Sequence, residues 1–133
     1  MTPQIFRNDL IYPELIYQIM GCTFEVFNVL GPGHSEKIYQ KTLAISFADK
    51  NLNFIEQVKC DIFFKEKIVS RGYLDFKVEE KIIVELKKDE RFSKVHIDQV
   101  LQYLKSTSLK LAIIINFTKA GVTSKRIVNI TES

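Results

Sequence analysis

In the run GYLDFKVEEKIIVELKK, residues 72–88, a carboxylate at Glu85 and an ammonium at Lys87 interrupt four aliphatic side chains, Ile82, Ile83, Val84 and Leu86. Alternation along a strand sends Ile82, Val84 and Leu86 to one side and Ile83, Glu85 and Lys87 to the other. An interior strand of an α/β sandwich is covered on both sides, so charges on the second side need partners there. The preceding strand offers Asp75, flanked by Leu74 and Phe76. An odd-length connection such as Val78, Glu79 and Glu80 sets Asp75 opposite Ile83 and diagonal to Glu85. A two-residue turn of Glu79 and Glu80 instead pairs it with Val84 and sends the carboxylates to opposite faces. In the first case the two acids repel unless something positive sits between them, and hard oxygen ligands suit a divalent cation such as Mg²⁺. Lys87, on the same face, would polarise a water or balance charge developing on a transferred phosphate. That is the chemistry of metal-assisted phosphodiester hydrolysis. The short motif is not specific by itself, since Glu79 and Lys81 repeat it in what reads as a turn.

The elements that must position these residues follow from periodicity. Residues 12–30 are helical in pattern, with Leu15, Ile16, Ile19, Met20, Thr23, Val26, Phe27 and Leu30 on one side and Pro13 in the first turn. Gly31 to Gly33 end that helix. They carry no phosphate-cradle pattern. Ser35 caps a second helix running to Asp49, with Ile38, Tyr39, Leu43, Ile45 and Phe47 as its apolar positions. Strands are predicted over 54–64, 67–77 and 81–88, joined as an antiparallel meander. A helix over 93–105 follows, with Val95, Val100, Leu101 and Leu104 facing inward. A buried strand, LKLAIIINF, and a last strand over 126–130 complete the chain. The order implies an α/β fold with a mixed β-sheet flanked by helices, and residues 1–133 form one domain.

Bulk properties exclude little. The chain is 46% apolar and 26% charged, ordinary values for a globular domain, and its net charge of +3 tolerates a polyanionic partner without demanding one. Cys22 and Cys60 have no metal-ligand spacing and read as buried free thiols. The first ten residues lack a signal-peptide pattern and no run approaches the roughly 18 apolar residues of a membrane span. A cytoplasmic protein without membrane association is expected.

Three stretches together resemble a known set. Asp75, Glu85 and Lys87 resemble the core of the PD-(D/E)XK nuclease superfamily, the restriction-endonuclease-like fold. GHSEKIY, residues 33–39, is similar to the GxxExxY signature of a family of small, mostly bacterial proteins in that superfamily. Gln99 and Tyr103, in HIDQVLQYL, are spaced like the QxxxY motif of its RecB-like nucleases. The resemblance implies that Asp75 and Glu85 bind the metal, with the Leu86 carbonyl as a backbone ligand and Glu36 as the helical acid completing the site. It implies Mg²⁺, with Mn²⁺ as a substitute, and a catalytic role for Lys87. Gln99 and Tyr103 would orient the site or touch the substrate backbone. Leu74 stands where the superfamily's name puts proline, a turn-setting residue and not a ligand.

Plainer roles exist for each residue. Glu36 at a helix start complements the dipole, and Tyr39 reads as a core aromatic. His96, Gln99 and Tyr103 share a helix face, with Gln99 the stronger site residue and His96 the weaker. His34 reads as solvent-facing. Lys88, Arg91 and Lys94 read as a solvated basic loop that could meet phosphates. The leading function is a Mg²⁺-dependent nuclease acting on DNA or RNA, with DNA the preferred expectation. A substrate reader such as a zinc finger is missing, so a homodimer, a protein partner or unselective cleavage would be required. The alternative is a non-catalytic binding or regulatory module that retains the fold.

Overall fold

The computed structural model describes residues 11–88 and 92–129; Arg91 and the end of the strand expected to reach Ile130 lie outside them. Helix α1 (Pro13–Leu30) and helix α2 (Glu36–Asp49) precede strands β1 (Phe54–Lys59), β2 (Ile62–Phe64), β3 (Lys67–Ser70), β4 (Tyr73–Val78) and β5 (Ile82–Lys88). Helix α3 (Lys94–Thr107) and strands β6 (Leu111–Thr118) and β7 (Gly121–Val128) follow. Among the described residues no helix is long and apolar enough to cross a membrane.

Local chemistry explains the helix boundaries. Pro13 occupies the first turn of α1, where its missing N–H costs nothing. Gly31, at φ 72°, ends the helix in a positive-φ conformation open to glycine and donates its N–H to the Phe27 carbonyl at 2.8 Å. Ser35 and Ser93 cap α2 and α3 by accepting from the Ile38 and His96 amides.

The main sheet is mixed, in the order β1-β4-β5-β6-β7. β5 and β6 are parallel, joined by α3 as a βαβ crossover, and the other pairs are antiparallel. The two long strands expected over 54–64 and 67–77 are each broken, at 60–61 and 71–72. Their inner ends, β2 and β3, leave the sheet as a separate two-stranded hairpin. β1 therefore pairs with β4 around this insertion, and the simple meander does not form. No period-2 pattern in IFFKEKIVS marks the departure, because residues 62–71 are exposed or half-buried throughout.

Two cores sandwich the sheet. Under α1 and α2 lie Tyr39, Phe47, Phe76, Val78, Ile82, Val84, Leu86, Ile113 and Phe117; under α3 lie Cys60, Leu74, Ile83, Val100, Leu104, Ala112, Ile114 and Ile127. Both cysteines are free and buried. Three expected inward positions turn outward: Ile38, Ile45 and Val95 are 44%, 65% and 79% exposed. A helix face wide enough to include them would overrun the sheet beneath it.

Leu74 and Phe76 belong to opposite cores although they are two residues apart, and so do Phe54 and Val58 on β1. The pleat changes hand between them. Gln57 has φ 54° and drops out of the ladder, which runs from Glu56↔Phe76 to Val58↔Leu74. By that register Gln57 faces Asp75. The residue that sequence placed on one sheet face thus stands at the crossover between faces.

Candidate active site in the notch between β4 and β5

The β4–β5 turn combines the two connections that alternation allowed. Glu79 and Glu80 both adopt positive φ, 53° and 56°, and the Lys81 N–H closes on the Val78 carbonyl at 3.0 Å, forming a two-residue turn. Lys81 then adds one residue before pairing starts at Val78↔Ile82. The connection is odd, and its register pairs Lys77 with Ile83, so that Asp75, one step beyond the last pair, Phe76↔Val84, comes toward Glu85 and not opposite Ile83.

The β4–β5 ladder stops at Phe76↔Val84, whereas β5 stays paired with β6 as far as Lys88. β4 and β5 part at the next residues, and the acidic side chains fill the opening. The Asp75 amide donates to Glu85 Oε1 at 2.7 Å, and the Leu86 amide donates to Asp75 Oδ2 at 2.7 Å. Each carboxylate thus takes an amide on the opposite strand, which supplies the partners that buried acids require. Glu85 is 4% exposed and Asp75 half-buried.

Burial and the neighbouring negative charge of Glu85 push the Asp75 carboxyl up to about 7. The Leu86 amide works against that rise, while a hydrogen bond with Glu85 and the charge of Glu36 add to it. Glu36 in the first turn of α2 is therefore near enough for its field to reach the pair. Among the described residues, no three His, Cys, Asp or Glu side chains stand close enough to hold a metal ion by themselves. The donor chemistry nevertheless fits a hard divalent cation. Asp75 and Glu85 bring carboxylate oxygens together from two strands, and such an ion commonly keeps several waters.

Lys87 is half-buried on β5 and lies across from Asn116 of β6. Leu86 meets the site through its amide. Lys88 reaches the Gly33 carbonyl at 3.4 Å, so it ties β5 to the α1–α2 loop instead of standing as an isolated basic charge. Lys94 opens α3.

Along α3 the expected ranking reverses. His96 Nε2 lies 3.0 Å from Glu85 Oε2. The contact is off the ring N–H direction, leaving this buried nitrogen without an aligned hydrogen bond. Gln99 does not reach the acids; its amide lies 3.7 Å from Cys60 Sγ. A Cβ on Gly72 would come within 2.6 Å of the Gln99 amide nitrogen, so glycine there permits the close approach. Tyr103 is half-buried one turn further along. Only the i, i+3 spacing of His96 and Gln99 hinted at either role, and it cannot say which turn of α3 overlies Glu85.

Tyr39 is a packing residue. It is fully buried, stacked on Phe117 with centroids 4.0 Å apart, and donates its hydroxyl to the Gly31 carbonyl at 2.6 Å. His34 does not simply face solvent: its Nε2 lies 2.9 Å from the Leu30 carbonyl and its ring stands edge-on to Tyr39. Together they fasten the loop that precedes Glu36.

A family model of the PD-(D/E)XK nuclease superfamily matches residues 13–128. The chain belongs to this superfamily. The match spans the elements that build the notch, from the first residue of α1 to the last of β7. Among solved structures, the crystal structure of SSO0001 resembles it with a TM-score of 0.51 and 18% identity, over 72% of this chain and 50% of that one. At that identity the likeness is one of fold, and this chain spans about half the length of that protein. No curated protein sequence matches the chain. Asp75 on β4 and Glu85 and Lys87 on β5 occupy two adjacent strands of the central sheet, where the notch opens.

Proposed function

We propose that this domain is a divalent-metal-dependent nuclease that hydrolyses phosphodiester bonds of nucleic acid, DNA rather than RNA, at the notch between β4 and β5. The observation that carries this reading is the Asp75–Glu85 pair: two acids brought together where the ladder ends, with burial first and the charge of Glu85 second pushing the Asp75 carboxyl up to about 7. A purely structural role would be served as well by amides, which carry no repulsion.

Asp75 and Glu85 would hold Mg²⁺, or Mn²⁺ in its place, with Glu36 and the Leu86 carbonyl as further oxygen donors. When bound, the cation would polarise a phosphoryl oxygen and make a coordinated water easier to deprotonate. Lys87 Nζ would hold the attacking water or donate to a non-bridging phosphate oxygen as charge develops there. His96 would hold the outer oxygen of Glu85. Gln99 and Tyr103, on the same helix, would line the path of the substrate strand. Gly33, Glu36 and Tyr39 fit the narrower GxxExxY family, in which Tyr39 serves by anchoring the loop before Glu36.

One observation favours a non-catalytic module instead. The backbone amides already satisfy both carboxylates, so the pair can close the end of the ladder without a cation. Calorimetric titration of Mg²⁺ and Mn²⁺ into wild type, Asp75→Asn and Glu85→Gln, followed by cleavage assays with Lys87→Ala, separates the readings. The nuclease reading expects metal binding lost in both acid variants and cleavage lost in Lys87→Ala with metal binding retained. Metal-dependent binding without cleavage of any DNA or RNA substrate would favour the module.

A further inference from the structure

Beyond the acidic pair, a cleft of about 280 Å³ separates the base of the β2–β3 hairpin from α3, and its walls include Asp61, Phe63, Gln99, Gln102 and Tyr103. Its chemistry differs from that of a phosphate site. Asp61 has a side chain only 6% exposed, ion-paired to Lys59 at 3.5 Å and accepting the Gly72 N–H at 3.4 Å. A buried carboxylate there repels a phosphate. What the walls offer is two aromatic rings, two primary amides and one strong acceptor. These suit a neutral planar heterocycle that carries N–H donors.

The hairpin itself points to a nucleic-acid ligand. Phe63 and Phe64 are 59% and 64% exposed, on a two-stranded ribbon separate from the main sheet. Phe63 pairs with Ile68 on one face of the ribbon, and Phe64 with Lys67 on the other. Lys65 lies 5.5 Å from the Phe64 ring, and Lys59, Lys67 and Arg71 are exposed nearby along the chain. Exposed aromatics interleaved with cations match a strand whose bases stack while its phosphates stay at the rim. The cleft also adjoins the notch: Gln99 is one helical turn from His96, which touches Glu85. Cys60, on the cleft wall beside Gln99, is held protonated by burial and by the charge of Glu85.

We propose that this cleft seats an unpaired nucleobase bearing an exocyclic amino group, stacked on Phe63 and read by Asp61 and Gln102. The substrate would then be single-stranded or frayed where it enters the acidic site. A paired base cannot enter, because its hydrogen-bonding edge and both faces are already occupied. The hairpin would supply a substrate reader within this domain. This inference rests on the nucleic-acid reading above.

The test is fluorescence polarisation in EDTA, so that cleavage plays no part, with labelled single strands of dA, dC and dT and a blunt duplex of equal length. Wild type is expected to bind dA and dC about tenfold more tightly than dT or duplex. Phe63→Ala, at an exposed position that leaves the fold intact, should weaken dA and dC about tenfold, the scale of one lost base stack. Asp61→Asn should erase the preference over dT, because an amide can present either a donor or an acceptor to the base. Equal binding of duplex and single strands, or an unchanged affinity in Phe63→Ala, would overturn the proposal. Either result would leave the Lys87→Ala cleavage test standing. Absence of cleavage by the wild-type protein with Mg²⁺ or Mn²⁺ supplied, with this binding pattern intact, would fault the nuclease reading alone.

Discussion

Under α1 and α2 the sheet meets Tyr39, Phe47, Phe76 and Phe117, all within 2% of full burial, with Tyr39 stacked on Phe117 and Phe47 edge-on to Phe76. Under α3 the same sheet carries a smaller core, and at its margin Glu85 meets His96 while Gln99 crosses Gly72. The first face is closed by aromatic packing that admits no charge without a large desolvation cost. The second stays polar where β4 leaves β5, because the end of a ladder exposes amides that carboxylates can accept. The aromatic packing thereby lies on one side of the sheet and the buried Glu85–His96 contact on the other, while the charge of Glu36 reaches Asp75 from the first turn of α2.

The largest effect that would test this division is on the closed face. Phe47→Ala removes a fully buried ring between Phe54 and Phe76 and should cost about 3–5 kcal/mol in urea unfolding. Metal binding by the molecules that remain folded should be unchanged. A cost below about 1 kcal/mol would mean that the face is not the stabilising one.

On the polar face the leading effect depends on pH. Asp75 holds its proton to about 7 in the folded chain, against an ordinary value of 3.8. Between those values the folded chain binds a proton that the unfolded chain has released, so this contribution to stability is complete below pH 4 and lost as pH rises through 7. The slope for one proton is at most about 1.4 kcal/mol per pH unit. Glu85, Glu36 and His96 surround the group, so the comparison needs Asp75→Asn, which cannot ionise. That variant should flatten the decline between pH 4 and 7 and be the more stable protein at pH 8. Metal should compete with the same proton, and apparent affinity should rise with pH up to about 7. A wild-type stability curve that matches Asp75→Asn would remove the evidence for a repulsive pair.

A smaller effect isolates Gly72. Ala at this position drives a methyl against the Gln99 amide and lies 3.1 Å from Cys60 Sγ, an overpacking expected to cost about 1–3 kcal/mol. Since the Gln99 side chain can swing away, the crystal structure of Gly72→Ala should show it displaced while Asp75 and Glu85 keep their amide partners. Movement of the acidic pair would join two parts of the polar face that here have separate supports.

The sequence made the closed face legible and the polar face only partly so. Helical periods and serine caps located α1, α2 and α3 to within a residue or two, because those signals are local. The shared side of Glu85 and Lys87 on β5 was visible in the same way, whereas the place of Asp75 depended on the hairpin connection. Three things were not visible: the departure of β2–β3 from the sheet, the change of pleat at Gln57, and the contact of His96 with Glu85. Each depends on which segments lie side by side. Exposed IFFKEKIVS has strand propensity on either reading, Gln57 is not a residue type that announces positive φ, and one face of α3 offers three polar side chains to one acid.

The smallest predicted effect concerns the turns, where the two faces share a device. Glu79–Glu80 and Lys65–Glu66 both close hairpins with two consecutive positive-φ residues, none of them glycine. One sets the ladder that ends at Phe76↔Val84, next to Asp75 and Glu85, and the other sets Phe63 across from Ile68. A left-handed conformation costs a non-glycine residue about 1–2 kcal/mol, and glycine returns part of that gain as unfolded-state entropy, about 0.5–1 kcal/mol. Glu80→Gly and Glu66→Gly should therefore each stabilise the fold by about 0.5–1 kcal/mol. Glu80 is the cleaner position, since its exposed ion pair with Lys77 at 3.5 Å contributes little, whereas Glu79 also holds Asn53 at 3.0 Å. Because neither change alters loop length, Glu80→Gly should leave metal affinity unchanged and Glu66→Gly should leave single-strand binding unchanged. Stabilisation accompanied by a loss of either function would show that turn strain, and not loop length alone, sets the geometry of that site.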